Sequence, residues 1–458
     1  MSHSEEDTIV AIATPRGRGG VAVIRVSGSQ ALQVCKAITG LNPKPRYAHF
    51  KQFKYNDEVL DEGLVLYFPA PHSYTGEDVI ELQGHAGNIV PQRVLDAVLH
   101  IPGVRQAEPG EFTRRAFMNG RMDLTAAEAV EDLISAGSNS AARAAIASLE
   151  GAFAKDMHQI TSQITSFRVR IEGCLDFPEE HEDFFDSGKA LLELDQIIAQ
   201  ADLARARANQ GLKLNEGARI VLSGAPNAGK SSLLNALSGS DRAIVTNIPG
   251  TTRDILSVDI EINGVPVTIT DTAGIRDTPA DEIEAIGIKK ALHALKQADL
   301  IIYMLDGSSD VTINEQALSH IRKLKDHTQN VMIAISKADL PLHPSIEKLL
   351  NSEQIKNYPQ IHISVKTESG LDNLRKALSD ALGIIPVQGV YSARARHIQE
   401  LNKTYDALIR SRNMLEYGDL VLCAQEMRCA QEHIGTITGK VTSDDILGKI
   451  FSTFCIGK

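Results

Sequence analysis

The chain has 458 residues, which is too long for a single hydrophobic core, so its length predicts two or three domains. The hydrophobic fraction of 43% and charged fraction of 23% exclude collagen-like, mucin-like and wholly disordered proteins. The formal net charge of −11 means that overall charge cannot hold nucleic acid. An RNA partner therefore requires a local basic patch or a second protein.

The first residues and the cysteines indicate the cellular compartment in which the protein is expected. No run of 18 apolar residues occurs, and the acidic start, with Glu5, Glu6 and Asp7, is unlike a secretory or organellar signal. We therefore expect a cytoplasmic protein with no membrane partner. Its five cysteines are odd in number and scattered, which predicts reduced thiols and no disulfide framework.

The first part of the chain mixes short strands with Gly and Pro punctuation. Residues 21–26 and 63–68 are predicted strands, and a helix fits between positions 90 and 100. This pattern predicts an N-terminal α+β domain over residues 1–121.

The chain then becomes rich in alanine and helical in pattern. Apolar residues recur in steps of three and four at Met157, Ile160, Ile164, Phe167 and Ile171. This spacing predicts one buried face of an amphipathic helix. Residues 122–216 are the first part of a predicted helical domain, and residues 385–458 are its second part.

Between these two parts, residues 217–384 alternate strands with helices. Short apolar runs lie at 220–222, 267–270, 300–304, 331–335 and 361–363. Apolar strands separated by helical segments are typical of a parallel sheet with crossover helices. The predicted fold class is thus a multidomain α/β and α protein, in which an α/β domain is inserted into a helical one.

A phosphate-binding motif opens the inserted domain. Residues 224–231 read Gly-Ala-Pro-Asn-Ala-Gly-Lys-Ser, which fits G-x-x-x-x-G-K-[ST] between a predicted strand and a predicted helix. Backbone N–H groups of such a loop close around a polyphosphate. Lys230 is expected to reach the β- and γ-phosphates and Ser231 to ligate Mg²⁺. The candidate GTP-binding residues here are Asn227, Ala228, Gly229, Lys230, Ser231 and Ser232.

A second motif, Asp271-Thr272-Ala273-Gly274, ends the predicted strand at 267–270. Asp271 is expected to hold the magnesium shell, and the Gly274 N–H to sense the γ-phosphate. Between the two motifs, a threonine hydroxyl of the run Gly250-Thr251-Thr252-Arg253 can complete that shell. Arg253 is either a finger in cis or an ordinary surface arginine.

The base-binding residues follow the next strands. Ser336-Lys337-Ala338-Asp339 places a carboxylate that can accept two guanine N–H groups, which selects GTP over ATP. Ser364-Val365-Lys366 supplies a flanking loop. The motif order resembles the Ras-like P-loop GTPases, with Ser336 in place of the usual Asn of N-K-x-D. We expect the tethering hydrogen bond of that Asn to be shorter or absent, with guanine preference kept by Asp339.

The residue that positions the attacking water is not the usual glutamine, because Ile275 follows Gly274. Glu282 and Glu284 lie within the next ten residues. Either carboxylate can act as a general base, and either can equally be a solvated residue at a helix start.

Further runs extend the resemblance to the whole chain. Gly17-Arg18-Gly19-Gly20, Gly76-Glu77-Asp78, the run 81–85 (Glu-Leu-Gln-Gly-His), the turn 109–112 and the ending Cys455-Ile456-Gly457-Lys458 resemble the MnmE (TrmE) family of tRNA modification GTPases. The resemblance implies a homodimer that acts with the FAD-dependent protein MnmG (GidA) on tRNA. It implies that aminomethyl or carboxymethylaminomethyl groups are installed at C5 of the wobble uridine, position 34. The one-carbon donor is a tetrahydrofolate derivative, 5-formyl or 5,10-methylene.

The same resemblance implies roles for particular residues. It places folate at Arg25, Glu81, Arg121 and Lys458, and it implies a folate-binding-like N-terminal domain that mediates dimerisation. Position 121 often holds Lys in the family. It implies K⁺ ligation by Asn227, Thr246, Ile248 and Thr251, with Mg²⁺ held by Ser231 and Thr252. It favours Glu284 as the water-positioning residue, because Glu284-Ala285-Ile286-Gly287 fits the family spacing better than Glu282 does.

Cys455 is the remaining candidate catalytic residue. It is either a thiol presented near folate and uridine or a small buried side chain in the final helix. Three functions stay open on the sequence: a GTPase that drives tRNA modification, an RNA-binding or ribosome-assembly GTPase without modification chemistry, and an acidic scaffold that recruits the flavoprotein. A KH-like RNA-binding domain with a G-x-x-G clamp in a basic setting would favour the second, and we identify no such domain in the sequence.

Overall fold

The computed structural model describes residues 7–176, 188–238, 257–271, 294–309, 330–353, 355–384, 389–439 and 444–457. The chain divides into two compact units. Unit 1 comprises Met1–Ile134, Ser148–Ala201 and Glu400–Lys458, and unit 2 comprises Ser135–Ala147 and Asp202–Gln399. The boundaries predicted at residues 121, 216 and 384 do not coincide with those of the units, and they remain predictions.

Strands and helices follow each other in the order expected for mixed domains. The strands are β1 Thr8–Ile12, β2 Val21–Ser27, β3 His49–Tyr55, β4 Glu58–Phe68, β5 Val79–His85, β6 Val104–Gln106, β7 Ala218–Gly224, β8 Ser257–Ile262, β9 Val265–Asp271, β10 Leu300–Asp306, β11 Val331–Ser336 and β12 Gln360–His362. The helices are α1 Ala31–Thr39, α2 Val90–Leu99, α3 Glu111–Met118, α4 Leu124–Ser135, α5 Asn139–Leu149, α6 Ala152–Asp176, α7 Lys189–Glu216, α8 Lys230–Ser238, α9 Pro344–Leu350, α10 Leu371–Ala381, α11 Ala395–Glu416, α12 Leu420–Ile437 and α13 Asp444–Ser452.

Unit 1 contains a mixed sheet with the strand order β3-β4-β5-β2-β1-β6. Its neighbouring strands pair antiparallel except for β1 and β6, which run parallel. Helices α1 and α2 cover one face, where Ile24, Val26, Ile80 and Leu82 form a buried core with Val94. The predicted strands at 21–26 and 63–68 and the predicted helix at 90–100 are confirmed.

The opposite face of this sheet is covered by helix α3 and its preceding turn. Glu111, 1% exposed, accepts hydrogen bonds from Arg105 at 2.6 and 2.8 Å and from Arg115 at 3.1 Å. Burial acts to raise the pKa of Glu111, but the bonds from Arg105 and from the Glu108 N–H outweigh it and lower that pKa to about 2. This charged network fixes the turn at Pro109 on which the C-terminal residues lie.

The amphipathic helix is confirmed as α6, and its five predicted apolar residues are all buried. It contacts α12 from the far end of the chain: Arg168 donates to the Gln431 side chain at 2.6 Å, and Gln431 donates to Thr165 at 3.1 Å. Two segments that the sequence separates by more than 240 residues therefore pack together, as expected when a domain is inserted between them. No helix in the described ranges is both long and apolar enough to cross a membrane.

Unit 2 contains a sheet with the order β12-β11-β10-β7-β9-β8. Strands β12, β11, β10, β7 and β9 are parallel and correspond to the five predicted apolar runs, although the run 361–363 extends one residue beyond β12. Strand β8 was not predicted; it pairs antiparallel with β9 through a turn at Asn263-Gly264, whose φ angles are 49° and 88°. An Asn-Gly pair with both φ values positive is a two-residue hairpin signal that could have revealed this strand. Buried apolar clusters lie on both sheet faces, as in a doubly wound domain.

Candidate functional site

The phosphate loop joins the carboxyl end of β7 to the start of α8. Gly224 has φ 139°, and a Cβ at this position would lie 2.4 Å from the Met304 carbonyl oxygen, so only glycine fits. Asn227 and Gly229 also have positive φ, 63° and 94°. Glycine and asparagine tolerate this conformation best. The motif residues therefore fold into the tight loop that carries backbone N–H groups to a helix N-terminus.

Two buried charges lie at the base of this loop. Lys230 is 7% exposed, and its Nζ donates to the carbonyl oxygens of Gly224 and Ala225, each at 2.9 Å. Burial lowers the pKa of Lys230, and Asp271 partly opposes that shift. The ammonium is thus held within the loop at a position where it can exchange carbonyl oxygens for phosphate oxygens.

Asp271 ends β9 beside the loop and is 2% exposed. Its Oδ2 accepts a hydrogen bond from Ser231 Oγ at 3.3 Å, whereas its Oδ1 is buried with no hydrogen-bond partner among the described residues. A buried carboxylate oxygen without a donor is unfavourable. A hydrated Mg²⁺ would supply the missing partner, so the oxygen ligands at Ser231 and Asp271 fit this ion.

The residues predicted to bind the base lie together after β11 and β12. The exposed Asp339 accepts a hydrogen bond from the buried Ser364 hydroxyl at 2.7 Å, which lowers the pKa of Asp339. The Ala338 N–H donates to the Ile363 carbonyl at 3.0 Å and joins the two loops. Val365 is half-buried and Lys366 is exposed. The Asp339 carboxylate is therefore kept charged and oriented by its neighbours.

Lys337 and Ser336 connect these loops to the rest of the site. Lys337 Nζ lies 2.5 Å from Asp306 Oδ2. Ser336 is 4% exposed, and its Oγ lies 2.7 Å from the Ala228 carbonyl oxygen and 3.2 Å from that of Leu305. The serine hydroxyl thus ties the base-binding loop directly to the phosphate loop. Of the two outcomes expected for this hydrogen bond, shorter or absent, absence is excluded, because the short side chain reaches the Ala228 carbonyl without an amide.

Several predicted site residues lie outside the described ranges, and nothing is concluded about their positions. They are Thr246, Ile248, Thr251, Thr252, Thr272, Ala273, Gly274, Glu284 and Lys458, together with the alternatives Arg253 and Glu282.

A second group of predicted residues lies on the α3 side of the unit 1 sheet. Arg25 and Glu81 are cross-strand neighbours, and Glu81 Oε1 accepts from Arg25 Nε at 3.0 Å and Nη2 at 2.9 Å. The guanidinium carbon lies 5.4 Å from the Tyr74 ring centroid and 5.8 Å from that of Phe112. Gln83 donates to the other Glu81 oxygen at 3.1 Å. The two residues therefore form an ion pair between aromatic rings.

Arg121 and Cys455 have different surroundings. Arg121 is exposed, and among the described residues no contact joins it to Arg25 or Glu81. Cys455 is also exposed and follows the end of α13. The interpretation of Cys455 as a buried residue of the final helix is therefore wrong.

The C-terminal residues lie on the N-terminal sheet. Ile456 forms an antiparallel bridge with Pro109, and the Gly110 N–H donates to the Cys455 carbonyl at 3.4 Å. A Cβ at Gly457 would lie 2.5 Å from the Ile12 carbonyl oxygen, so the chain passes this strand end too closely for any other residue. This close approach places the thiol-bearing segment beside the ends of β1 and α3 within unit 1.

Sequence reasoning gave no role to His85, the last residue of β5. Its ring Nδ1 lies 2.7 Å from Asp61 Oδ1, and its backbone N–H donates to Asp61 Oδ2 at 2.7 Å. The hydrogen bond to Asp61 raises the pKa of the exposed His85. At Gly84 a Cβ would meet the Asp61 carboxylate at 2.1 Å. The glycines at 63 and 84, in facing strands, were a signal for this close approach.

The nucleotide loop, the buried Lys230 and Asp271, and the oriented Asp339 define the protein as a P-loop GTPase. A family profile described as the GTP-binding protein TrmE N-terminus matches residues 8–121, and one described as the MnmE helical domain matches residues 124–455. The chain belongs to the MnmE (TrmE) family of tRNA modification GTPases.

Close relatives cover almost the whole chain. It is 45% identical over 458 residues to a protein of Proteus mirabilis, and 46% identical over 457 residues to one of Vibrio vulnificus. Both are named tRNA modification GTPase MnmE, and each match spans 99% of both chains. A solved structure of the G domain of the T. maritima FeoB iron transporter is 24% identical and covers 36% of this chain and 98% of that chain, with a TM-score of 0.28.

The Ser336 tether leads to a prediction about nucleotide affinity. Ser336→Ala leaves the buried Ala228 carbonyl without its donor, which costs about 1–3 kcal/mol. We expect the dissociation constant for GDP to rise by roughly tenfold, measured by calorimetry. Ser238→Ala removes a hydroxyl that donates to the Asn235 carbonyl at the end of α8, and it should leave GDP affinity unchanged. A folded Ser336→Ala variant with wild-type GDP affinity would contradict the tether.

Proposed function

We propose that this chain couples GTP hydrolysis to modification of the wobble uridine of tRNA. Acting as a homodimer with the FAD-dependent protein MnmG (GidA), it installs an aminomethyl or carboxymethylaminomethyl group at C5 of uridine 34. The carbon comes from a tetrahydrofolate derivative, 5-formyl or 5,10-methylene. The observation that carries the proposal is the exposed Cys455 on a segment that lies against the N-terminal sheet, in a chain that also contains a complete phosphate loop.

The proposed nucleotide chemistry follows from the charges at the phosphate loop. Lys230 neutralises the β- and γ-phosphates, and Ser231 ligates Mg²⁺ together with Thr252. Asp271 holds the water shell of that ion through its unsatisfied Oδ1. Asp339, oriented by Ser364, accepts the guanine N–H groups. Glu284 positions the attacking water.

Unit 1 is proposed to hold the folate. Arg25 and Glu81 offer a cation and an anion side by side between two aromatic rings, which suits a flat heterocycle with polar edges. Arg121 and Lys458 are the further proposed folate contacts. Cys455 is proposed to present its thiol to the reacting uridine or folate.

The modification role can be tested in cells by mass spectrometry of tRNA nucleosides. A strain without the gene should lose the C5-aminomethyl-type uridines, and the wild-type chain should restore them. Cys455→Ser should fail to restore them, because serine lacks the acidic, nucleophilic thiol. Cys429→Ser, at a half-buried thiol in α12, is the matched control and should restore them.

The other outcomes distinguish the alternatives. Full modification with Cys455→Ser would contradict a chemical role of the thiol and would favour an acidic scaffold that recruits the flavoprotein. An unchanged nucleoside profile in the strain without the gene would contradict the modification role. It would instead favour an RNA-binding or ribosome-assembly GTPase.

Potassium is proposed to activate hydrolysis through G-domain dimerisation, with Asn227, Thr246, Ile248 and Thr251 as ligands. A cation there would stabilise the transition-state charge that an arginine finger stabilises in other GTPases. Asn227 is exposed in a left-handed conformation, φ 63°, so its amide is free to turn toward bound phosphate.

We expect GTP hydrolysis to be faster in K⁺ than in Na⁺ by a factor on the order of 10². Asn227→Gly removes the amide oxygen without straining a positive φ, and it should abolish this difference. Asn227→Asp retains an oxygen ligand and should keep it. Equal rates of phosphate release in the two salts for the wild-type chain would overturn the potassium mechanism.

A further inference from the structure

The segment between β1 and β2 carries two arginines on a glycine-rich turn. This segment, residues 15–20, reads Pro-Arg-Gly-Arg-Gly-Gly and is called the arginine loop below. Arg16 and Arg18 are exposed, and neither side chain has an ion pair or hydrogen bond within the part of the chain that the structure describes. A Cβ added at Gly17 or at Gly20 would have no atom within 4 Å. The backbone of the arginine loop is therefore accessible to a ligand.

Six of the nine arginines in residues 7–121 have a hydrogen-bond or ion-pair partner. The arginines of residues 7–121 that pair with carboxylates are Arg25, Arg93, Arg105, Arg114 and Arg115. Arg46 donates to a backbone carbonyl. Only Arg16, Arg18 and Arg121 lack such a partner among the described residues. In a chain with a net charge of −11, the arginine loop concentrates unneutralised positive charge.

The arginine loop and the segment on which it packs contain no acidic side chain, and the neighbouring carboxylate of Asp61 is bonded to His85. The loop packs on residues 86–89: a Cβ at Gly19 would lie 3.5 Å from the Ala86 Cβ. A small cleft between the two segments is lined by Thr14, Arg16, Asn88 and Gln92, among others, and by no Asp or Glu. Residues 13–22 and 86–92 include no acidic residue at all. The charged side chains of these two segments are therefore all positive, although the whole chain is acidic.

The arginine loop also lies close to the thiol-bearing segment. Gly457 approaches Ile12 and Ala13, the residues that lead into the loop. The same stretch is fixed to β2, because the Ala13 N–H donates to the Val23 carbonyl at 2.7 Å and Val23 N–H donates to Thr14 Oγ1 at 3.2 Å. A polyanion held by Arg16 and Arg18 would therefore extend past the C-terminal residues that include Cys455.

We propose that the arginine loop binds the sugar-phosphate backbone of the tRNA substrate next to the nucleotide that is modified. The planar guanidinium matches phosphate oxygens in a bidentate geometry, and the glycines allow the backbone to approach closely. Because the chain is acidic overall, it requires a local basic element to bind RNA. The inference rests on the proposed function, because it takes tRNA as the ligand.

The test measures binding of a fluorescently labelled, unmodified tRNA with uridine at position 34 to the full-length chain at several salt concentrations. Arg16→Ala/Arg18→Ala should weaken binding about tenfold or more and reduce the salt slope by roughly two, one for each phosphate contact. Lys51→Ala/Lys54→Ala removes the same charge from exposed positions on β3 and should change binding little. Arg16→Lys/Arg18→Lys should retain part of the affinity.

GTP hydrolysis and binding of 5-formyltetrahydrofolate, measured on the same variants, should be unchanged. Wild-type tRNA binding by the Arg16→Ala/Arg18→Ala variant, or an equal loss in the Lys51→Ala/Lys54→Ala control, would overturn the proposal. A loss of folate binding with tRNA binding intact would overturn it in favour of a site for the folate carboxylates. A wild-type chain that restores uridine modification in cells yet binds no tRNA would refute this inference and leave the proposed function standing.

Discussion

The buried ammonium of Lys230 is the interaction on which the nucleotide site depends. Lys230 Nζ donates to two loop carbonyl oxygens, each at 2.9 Å. The loop can adopt this conformation because Gly224 has no Cβ to clash with the Met304 carbonyl. Burying a cation is unfavourable, so burial lowers the pKa of Lys230, and the nearby Asp271 opposes this shift only in part. Asp271 is buried nearby with one oxygen unsatisfied among the described residues. Mg²⁺ and a polyphosphate would relieve both costs, so the site is organised for that ligand.

The base-binding loop depends on the same phosphate loop through one short side chain. The Ser336 hydroxyl donates to the Ala228 carbonyl, so the phosphate loop is hydrogen-bonded directly to the loop that is predicted to bind guanine. Asp339 in turn is oriented by Ser364 on the next loop. Two strand ends and one helix start thereby act as a single site, although the sequence separates their residues by more than 130 positions.

In unit 1, backbone contacts fix the position of the segment that carries the exposed thiol of Cys455. The Arg105–Glu111–Arg115 network fixes helix α3 and the turn before it, and that turn pairs with Ile456. Glycine at position 457 allows the chain to contact the end of β1. The thiol is therefore positioned by backbone contacts on both sides while its own side chain remains accessible.

The sequence predicted those features that depend on local pattern. Strand β7, the phosphate loop and helix α8 were predicted because glycine spacing and apolar runs act within a few residues. The buried face of α6 was predicted because helical periodicity is local. The exposure of Cys455 and the Ser336 tether were left open between alternatives, since each depends on contacts between residues that are distant in sequence. The His85–Asp61 pair and strand β8 were not predicted, although the glycines at 63 and 84 and the Asn263-Gly264 turn were signals for them.

The central claim, that this site is built for a guanine nucleotide with Mg²⁺, is tested most directly by calorimetric titration of the full-length chain. The account predicts that Mg²⁺·GDP binds more tightly than Mg²⁺·ADP by a factor on the order of 10² or more, because adenine cannot satisfy the Asp339 carboxylate. Equal affinity for the two nucleotides, or no binding of either, would contradict it.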